Sequence, residues 1–585
     1  MLTVRFYQFL TRPATRFSSP SVIFWFSLSL TFAFIYSFLG LQEAFASDYV
    51  VQDDARQHVF WIRQFLDPEL FQDDLIAAYF RSLVPVGYTT VYRIFGLIGL
   101  DPIWVSKCLP MGLWLLTTAY CFGVCLQLFP VPAAAFSASL LLNQGLGLTD
   151  ELVSATPKAF AYPLFLMFIY YLLRRSLWAC LAAIALQGLF YPQMVFLSAG
   201  TLGCGMVAAW AAARPDWLSH RQNYIFSIIG LGVAFLVLLP YALKSTQFGP
   251  VISVAEAKQA PEFWSGGRMS FFVDDPAEFW LKGRSGLHLA SILTPVTNAL
   301  GFLLPILTWF PHQFPLIKQL TPKVSVLTQV ALASLGMFCL SHLLLFRLHV
   351  PSRYTQHSWR MVMSLTAGIV LLTLIDAAWH WVARQRHQGR VNRVRAVGRS
   401  LLALAITCSL SIVLLLYPLF TSKFPITAYQ VGLYPDLYEF FQKQPKDSLI
   451  ASLAEEANNL PTFAQRSILV GREYGVPYHV GYYQQFRQRT VDLIRAQYSP
   501  DLAASQALVR QYGIDFWLLD QNAFTPNYLE NPWIEQYQPI TTEVSTSLAQ
   551  GQTAALQTIA DNCSVFTSGS LAVLSAKCIL QASEP

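Results

Sequence analysis

Uncharged, mostly apolar stretches of about twenty residues recur along the chain, the length an α-helix needs to cross a hydrocarbon core of about 30 Å. Roughly eleven can be marked out by this criterion, near residues 20–41, 103–129, 131–148, 157–173, 176–190, 191–213, 223–243, 291–310, 324–346, 361–383 and 400–420. Tyr191-Pro192 is either a tight turn or a kink, and several stretches are short enough to be broken or re-entrant pieces. Beyond residue 421 the pattern changes: charges recur regularly and no apolar run reaches spanning length. Ser499-Pro500-Asp501 and Gly513 bracket an apolar stripe through Leu502, Leu508 and Val509, which predicts a helix. Residues 514–520 read as a buried strand, with 448–453 and 467–470 as further strands. The predicted organisation is an α-helical polytopic membrane region, 1–420, followed by a C-terminal α/β domain, 421–585.

Composition supports the membrane assignment. Of 585 residues, 54% are hydrophobic, 14% aromatic and only 12% charged, whereas soluble domains carry about a quarter charged residues. The net charge of +6 is modest and its arginines are scattered between apolar runs, which excludes a nucleic-acid-binding surface. Arg5, Arg12 and Arg16 precede the first apolar run, and Ala44-Phe45-Ala46 resembles a signal-peptidase site. That run, at about 20 residues, exceeds the 7–15 of a signal peptide, so it is expected to be a retained first span.

Threading the chain through these spans sorts the loops by charge. Arg174-Arg175, Arg214 with Arg221, Lys318 with Lys323, and the arginines of 384–399, Arg390 among them, fall on the same side as the N-terminus, the cytoplasmic side by the positive-inside rule. The other side receives loop 42–102, Asp150-Glu151, the long loop 244–290, segment 347–360 and everything after 421. An inner (plasma) membrane protein with a cytoplasmic N-terminus and an extracytoplasmic C-terminal domain is expected. Segment 347–360 opposes the rule by placing Arg347, Arg353 and Arg360 outside. They read either as phosphate-binding guanidiniums or as arginines reaching lipid headgroups.

Seven of the nine cysteines lie in or beside apolar segments without zinc-site spacing and read as small buried residues. Cys563 and Cys578 differ: they flank strand-like pieces 564–567 and 571–574 joined around Gly569. A disulfide is expected there in an oxidising compartment, with two free thiols as the alternative.

The chemistry concentrates in the outer acidic loops. Val51-Gln52-Asp53-Asp54-Ala55-Arg56-Gln57-His58 follows the first span, and carboxylates so close to lipid are costly unless used. Val59, Phe60, Ile62, Phe65 and Leu66 recur at helical spacing, predicting an amphipathic helix in the membrane interface. The bland alternative is a solvated loop in which Asp53 caps that helix. Asp150-Glu151 supplies a second acidic pair on the same side, and Lys158 follows in Ala155-Thr156-Pro157-Lys158. Carboxylates with cations at one depth suit nucleophile activation and phosphate stabilisation. Trp264-Ser265-Gly266-Gly267-Arg268 and Asp274-Asp275-Pro276 read as turn chemistry or an acceptor-binding loop, Arg472-Glu473-Tyr474 as packed surface or a glycan contact, and His58 as an interfacial polar residue.

Asp53-Asp54-Ala55-Arg56, placed after a first span, resembles the extracytoplasmic Asp-[Asp/Glu]-x-Arg signature of GT-C membrane glycosyltransferases, a superfamily that includes protein O-mannosyltransferases, the lipid A aminoarabinose transferase and oligosaccharyltransferase catalytic subunits. The second acidic loop and the outer C-terminal domain are similar as architecture, and Ser352-Arg353-Tyr354 resembles the family's late Arg-Tyr pair loosely. The resemblance implies an inverting transferase using a polyprenyl-phosphate-linked sugar donor and a lipid, glycan or protein acceptor. It implies Asp53 as base, Asp54 assisting, and Arg56 orienting the pair. Arg353 and Lys158 would hold the phosphate, with Asp150 and Glu151 beside the substrate. Metal-using members carry Asp-x-Asp where this chain has adjacent aspartates; a divalent cation could still bridge Asp53 and Asp150 or Glu151, and none is firmly expected. The rival reading is a polytopic transporter or lipid-carrier flippase, which would bury charges midway across its spans. Asp376, late in the tenth stretch, is the residue that would fit it. An inactive protein on the same scaffold is the third reading.

Overall fold

Every predicted apolar stretch is helical in the computed structural model, which describes residues 2–14, 16, 18–212, 217–243, 246–387 and 393–583. Arg214 and Arg390 lie outside the described residues. Among the described residues, seven helices are long and apolar enough to cross a membrane: Pro20–Ala44, Pro102–Leu128, Gln193–Ala211, Arg221–Leu243, Pro322–Leu343, Ser352–Val382 and Val397–Phe420. The other four stretches fall short of the predicted full spans. Pro132–Gly147 has 16 residues and Leu177–Phe190 has 14, about 24 and 21 Å at 1.5 Å per residue. Residues 157–173 open with a 3-10 turn before Ala161–Leu173. The stretch 291–310 is broken into Leu289–Ile292, a 3-10 segment Val296–Leu303 and Leu304–Trp309, with Pro295 and Pro305 at the joints. Proline removes a backbone donor and crowds the preceding turn, so such a stretch cannot continue as one helix.

The helical body has two chemically distinct ends. At one, Tyr7 Oη donates to Asp376 at 2.5 Å, the Thr321 amide donates to the Leu128 carbonyl at 2.9 Å, and the Ala14 amide donates to the Pro130 carbonyl at 2.8 Å. These segments belong to the basic set of loops. At the other end strand β1 (Val50–Gln52) pairs antiparallel with β2 (Tyr429–Val431), in register Val50 to Val431 and Gln52 to Tyr429. The segment after the first helix and the segment after the last therefore leave the body on the same side. Asp376 lies at the opposite end, close to the chain's N-terminal segment.

Close helix contact sets the core. A Cβ on Gly368 would approach the Ala138 amide nitrogen to 2.5 Å, so the long Ser352–His387 helix crosses Pro132–Gly147 at backbone contact. Small residues permit that approach.

The C-terminal region carries a five-stranded mixed sheet: β3 (Leu449–Ser452), β4 (Ser467–Ile468), β5 (Phe516–Asp520), β6 (Ser564–Ser568) and β7 (Leu571–Ser575), in the order β4-β3-β5-β7-β6. β3 runs parallel to β4 and β5, and the β6–β7 hairpin completes the sheet antiparallel. The predicted helix spans Leu502–Tyr512; Asp501 rather than Ser499 caps it, and Gly513 closes it at φ +68°. Cys563 and Cys578 are joined across the base of the hairpin, with Cα atoms 5.4 Å apart and a separation of 15 positions in sequence. Closing a loop of that length restricts the unfolded chain by about 3 kcal/mol. Cys563→Ser with Cys578→Ser is therefore expected to lower the stability of this domain by about that amount, which denaturant titration of the purified protein, with and without reductant, would measure.

Three outer elements interlock. The Gly481 amide donates to the Phe248 carbonyl at 2.7 Å, and Ile252 to Tyr478 at 2.9 Å, so loop 244–290 is seated on the C-terminal domain. A Cβ at Gly481 would lie 2.6 Å from the Phe248 carbonyl oxygen, and only glycine admits that contact. Tyr79 and Tyr482 stack at 3.6 Å. The expected interfacial helix over 59–66 is instead a 3-10 segment, Phe60–Phe65, whose Phe60, Trp61 and Ile62 are buried. Phe60 packs edge-on against Tyr474 of the C-terminal domain at 5.7 Å, so protein takes the place predicted for lipid there, while Phe65 and Leu66 stay exposed.

Candidate functional site

The short helix Asp53–His58 begins where β1 ends. Gln52 caps it, its Oε1 accepting from the Ala55 amide at 3.2 Å while its Nε2 donates to Asp150 at 3.3 Å. Asp53 and Asp54 thus occupy the first helical turn, where the helix dipole favours negative charge. Successive side chains on a helix diverge by about 100°, and the two aspartates meet different partners. Asp53 pairs with Arg56. Arg56 is buried and also donates to Asn459 Oδ1 at 3.0 Å and reaches Glu473 at 3.5 Å. Asp54 points the other way, into a cavity of about 810 Å³, and pairs with Lys158.

Lys158 stands on the 3-10 turn Pro157–Phe160, and its Nζ lies 4.0 Å from Asp150 as well. Burial opposes ionisation of Asp54, but the Lys158 ammonium outweighs it and holds the carboxyl well below the usual range. Asp150 moves the opposite way: burial, reinforced by the neighbouring Asp54 and Glu151 charges, raises it against the pull of Lys158. Burial also lowers His58 to about 4, so it faces the cavity neutral at physiological pH.

Glu151 lies behind this surface, in the core. Its carboxylate accepts from Arg360 Nη1 at 2.9 Å, from Tyr162 Oη and from Gln356, with His357 Nδ1 at 3.4 Å. Arg360 has no exposed surface. Burial penalises the Glu151 anion, yet Arg360 and His357 hold its carboxyl well below the ordinary value. This pair ties the second acidic loop to the Ser352–His387 helix.

Arg353, in the first turn of that helix, also lines the cavity, half-buried, and its guanidinium makes no hydrogen bond or ion pair to any described residue. Arg347 and Arg284 line it too. Arg268 joins them from loop 244–290 and donates to Glu473 at 2.5 Å. Burial pushes Glu473 up to about 7, with Arg268 opposing. One wall is apolar: Phe235, Leu238 and Leu239 from the Arg221–Leu243 span, with Leu83, Val84 and Pro85 from the first outer loop. The cavity is therefore lined both by cationic side chains and by apolar ones, some of the latter from a helix long and apolar enough to cross a membrane.

Of the residues singled out in the sequence, Asp54, Lys158 and Arg353 line one cavity and Asp150 adjoins Lys158. Asp53 and Arg56 stand behind the wall, and Glu151 is a core residue. Arg268, Arg284 and Glu473 carried no catalytic signal. The Gly-Gly-Arg turn was visible as turn chemistry or an acceptor-binding loop and the Arg-Glu-Tyr segment as packed surface or a glycan contact, and nothing marked Arg284. The donor set expected for a divalent cation does not fit one: Asp53 is held by Arg56, Glu151 by Arg360, Tyr162 and Gln356, and Asp150 faces an ammonium. Among the described residues no group of three or more His, Cys, Asp or Glu could hold a metal ion.

No protein-family model and no curated protein matches the sequence. Solved structures do match in fold. The apo crystal structure of the Archaeoglobus fulgidus oligosaccharyltransferase superposes with a TM-score of 0.51 at 11% identity, over 90% of this chain and 73% of that one. The same enzyme tethered with an acceptor peptide containing the NVT sequon gives 0.49 at 11%, over 90% and 72%. The A. fulgidus enzyme AglB with an inhibitory peptide and a dolichol-phosphate gives 0.45 at 14%, over 89% and 72%. The likeness to the apo enzyme defines the class of fold: a polytopic helical membrane protein with an appended mixed-sheet domain. Within that class the arrangement is the one seen in the archaeal oligosaccharyltransferase.

Proposed function

We propose that this protein is a membrane glycosyltransferase that takes a sugar from a polyprenyl-phosphate carrier and transfers it, with inversion, to an acceptor outside the cytoplasm. The observation that carries the reading is the two-faced cavity. Arg353, Arg347 and Arg284, none of them in an ion pair with a described residue, suit a phosphate, and the apolar lining from a helix long enough to cross a membrane suits a prenyl chain. The fold shared with an oligosaccharyltransferase supports it.

In this reading Asp54, rather than Asp53, is the carboxylate that meets the acceptor. Held ionised by Lys158, it accepts a hydrogen bond from the attacking group and aligns it with the anomeric carbon. Its negative charge also stabilises the oxocarbenium character that develops as the phosphate leaves. A carboxylate this acidic is a weak base, so the acceptor's proton moves late, as the new bond forms. Arg353 and Arg284 balance the charge growing on the departing phosphate. Asp53 serves through Arg56 and Glu473, which fix the helix carrying Asp54. In this reading all eleven apolar stretches cross the membrane, so the odd count puts the two termini on opposite sides, and the basic loops that share a side with the N-terminus put that end in the cytoplasm and the site and the C-terminal domain outside. The location of Asp376 toward the end of the helical body that meets the N-terminal segment, satisfied by Tyr7 Oη and by the Leu316 amide at 3.2 Å, weighs against a transporter.

Binding of polyprenyl phosphate to the detergent-purified protein tests this directly. Arg353→Ala is expected to weaken it about 10- to 100-fold, the loss of a hydrogen bond to a charged group, while leaving the folded protein intact. Unchanged binding would remove Arg353 from the phosphate site.

A further inference from the structure

Lys158 is built into its position with unusual backbone detail. Ala155 adopts a left-handed φ of +50°, a conformation costly for a residue with a side chain. Its carbonyl is held by Tyr92 Oη at 3.1 Å. Ser154 Oγ and Thr156 Oγ1 bond each other at 2.8 Å, and Pro157 opens the turn that presents the lysine. The strained, over-determined segment delivers one ammonium group to two carboxylates that come from different loops, Asp54 and Asp150. Gln52 bridges the same two loops from the other side, accepting from the helix carrying Asp54 and donating to Asp150.

Two carboxylates from separate loops facing one point are what a divalent ion would need as its first ligands. Here that point is taken by a single positive charge. With Lys158 the group carries one net negative charge, and the arginines that line the cavity, Arg353 among them, more than offset it. A divalent ion would have to displace the ammonium or sit beside it, against its charge and with half of its coordination unfilled.

We propose that Lys158 is the resident cation of the transfer site: its ammonium joins Asp54 to Asp150, fixes the Asp54 carboxylate toward the acceptor, and keeps divalent metal out. The proposal rests on the transferase reading for its chemistry, but its physical content, one cation excluding another, does not require a substrate to test.

Mn²⁺ binding to the full-length protein in detergent, followed by the free-ion paramagnetic resonance signal, is the experiment. The unaltered protein is expected to leave Mn²⁺ free. Lys158→Ala should bind one Mn²⁺ at least tenfold more tightly, and adding Asp54→Asn or Asp150→Asn should abolish the gain. Lys158→Arg keeps a cation in place and should again leave Mn²⁺ free, which separates charge from fold. The thermal midpoint of each variant shows which are folded, and Lys158→Gln serves in place of Lys158→Ala if the latter is not. A tight Mn²⁺ site in the unaltered protein that is lost in Asp54→Asn, or no gain in a folded Lys158→Ala or Lys158→Gln protein, would overturn the proposal. Because no sugar donor enters the measurement, its failure leaves the transferase reading standing, and failure of that reading leaves this result interpretable.

Discussion

Asp54→Asn should abolish sugar transfer while leaving a folded, membrane-inserted protein. The amide is nearly isosteric and stays in the first turn of its helix. It cannot form the ion pair with Lys158 or present a negative charge to the reacting sugar. Losing a positioned acid–base group costs on the order of 10²–10⁴ in rate, and the electrostatic contribution of this carboxylate adds to that. Asp53→Asn is the informative companion. It frees Arg56, which retains Asn459 and Glu473, so the helix stays anchored and the loss should be much smaller. The relative turnover of the two variants decides which aspartate meets the acceptor. A larger loss for Asp53→Asn would reverse the assignment made here.

The largest effect on stability is expected at Glu151. Glu151→Ala strips Arg360 of its ion-pair partner in a place where that guanidinium has no exposed surface. Breaking a buried pair by removing one member costs about 3–5 kcal/mol, because the remaining charge is left uncompensated. The second acidic loop would also lose its tether to the Ser352–His387 helix, and Lys158 with it. Combining Glu151→Ala with Arg360→Leu removes both charges and should recover part of the loss, since apolar replacement of a buried pair is often close to neutral. Thermal unfolding in detergent would report both. An unchanged midpoint for the single variant would show that the pair does not hold the loops together.

Much of this architecture was legible in the sequence, and the parts that were not share a cause. Apolar length located the long helices of the membrane region but not shorter ones such as Leu75–Leu83 and Val86–Leu97; the closing Gly513 and the strand around Trp517 were readable as local patterns, while the N-terminal cap fell on Asp501, two residues past Ser499. Hydropathy could not distinguish a full span from a short or broken helix, as 291–310 illustrates, because that depends on prolines and packing partners. Two acidic pairs and Lys158 could be nominated, but adjacent aspartates are equivalent in sequence. Their difference arises from what faces each of them: Lys158, about a hundred residues on, for Asp54, and an arginine anchored by a distant domain for Asp53. Phe60 and Trp61 read as a lipid-facing stripe because the C-terminal domain that covers them lies some four hundred residues away. Glu473 shows the same limit from the other side: in sequence it is one charge in a polar region, and in the fold it joins Arg268 and Arg56 across three outer elements.

The central claim is that a sugar leaves its lipid carrier in the cavity that Asp54 faces. Mass spectrometry of glycans and glycolipids from cells lacking the gene, complemented with the unaltered gene or with Asp54→Asn, tests it most directly. The account predicts a sugar that disappears with the gene, returns with the unaltered copy, and stays absent with Asp54→Asn although that protein is present in the membrane. Full restoration of the sugar by Asp54→Asn, or no glycan difference at all between cells with and without the gene, would contradict it.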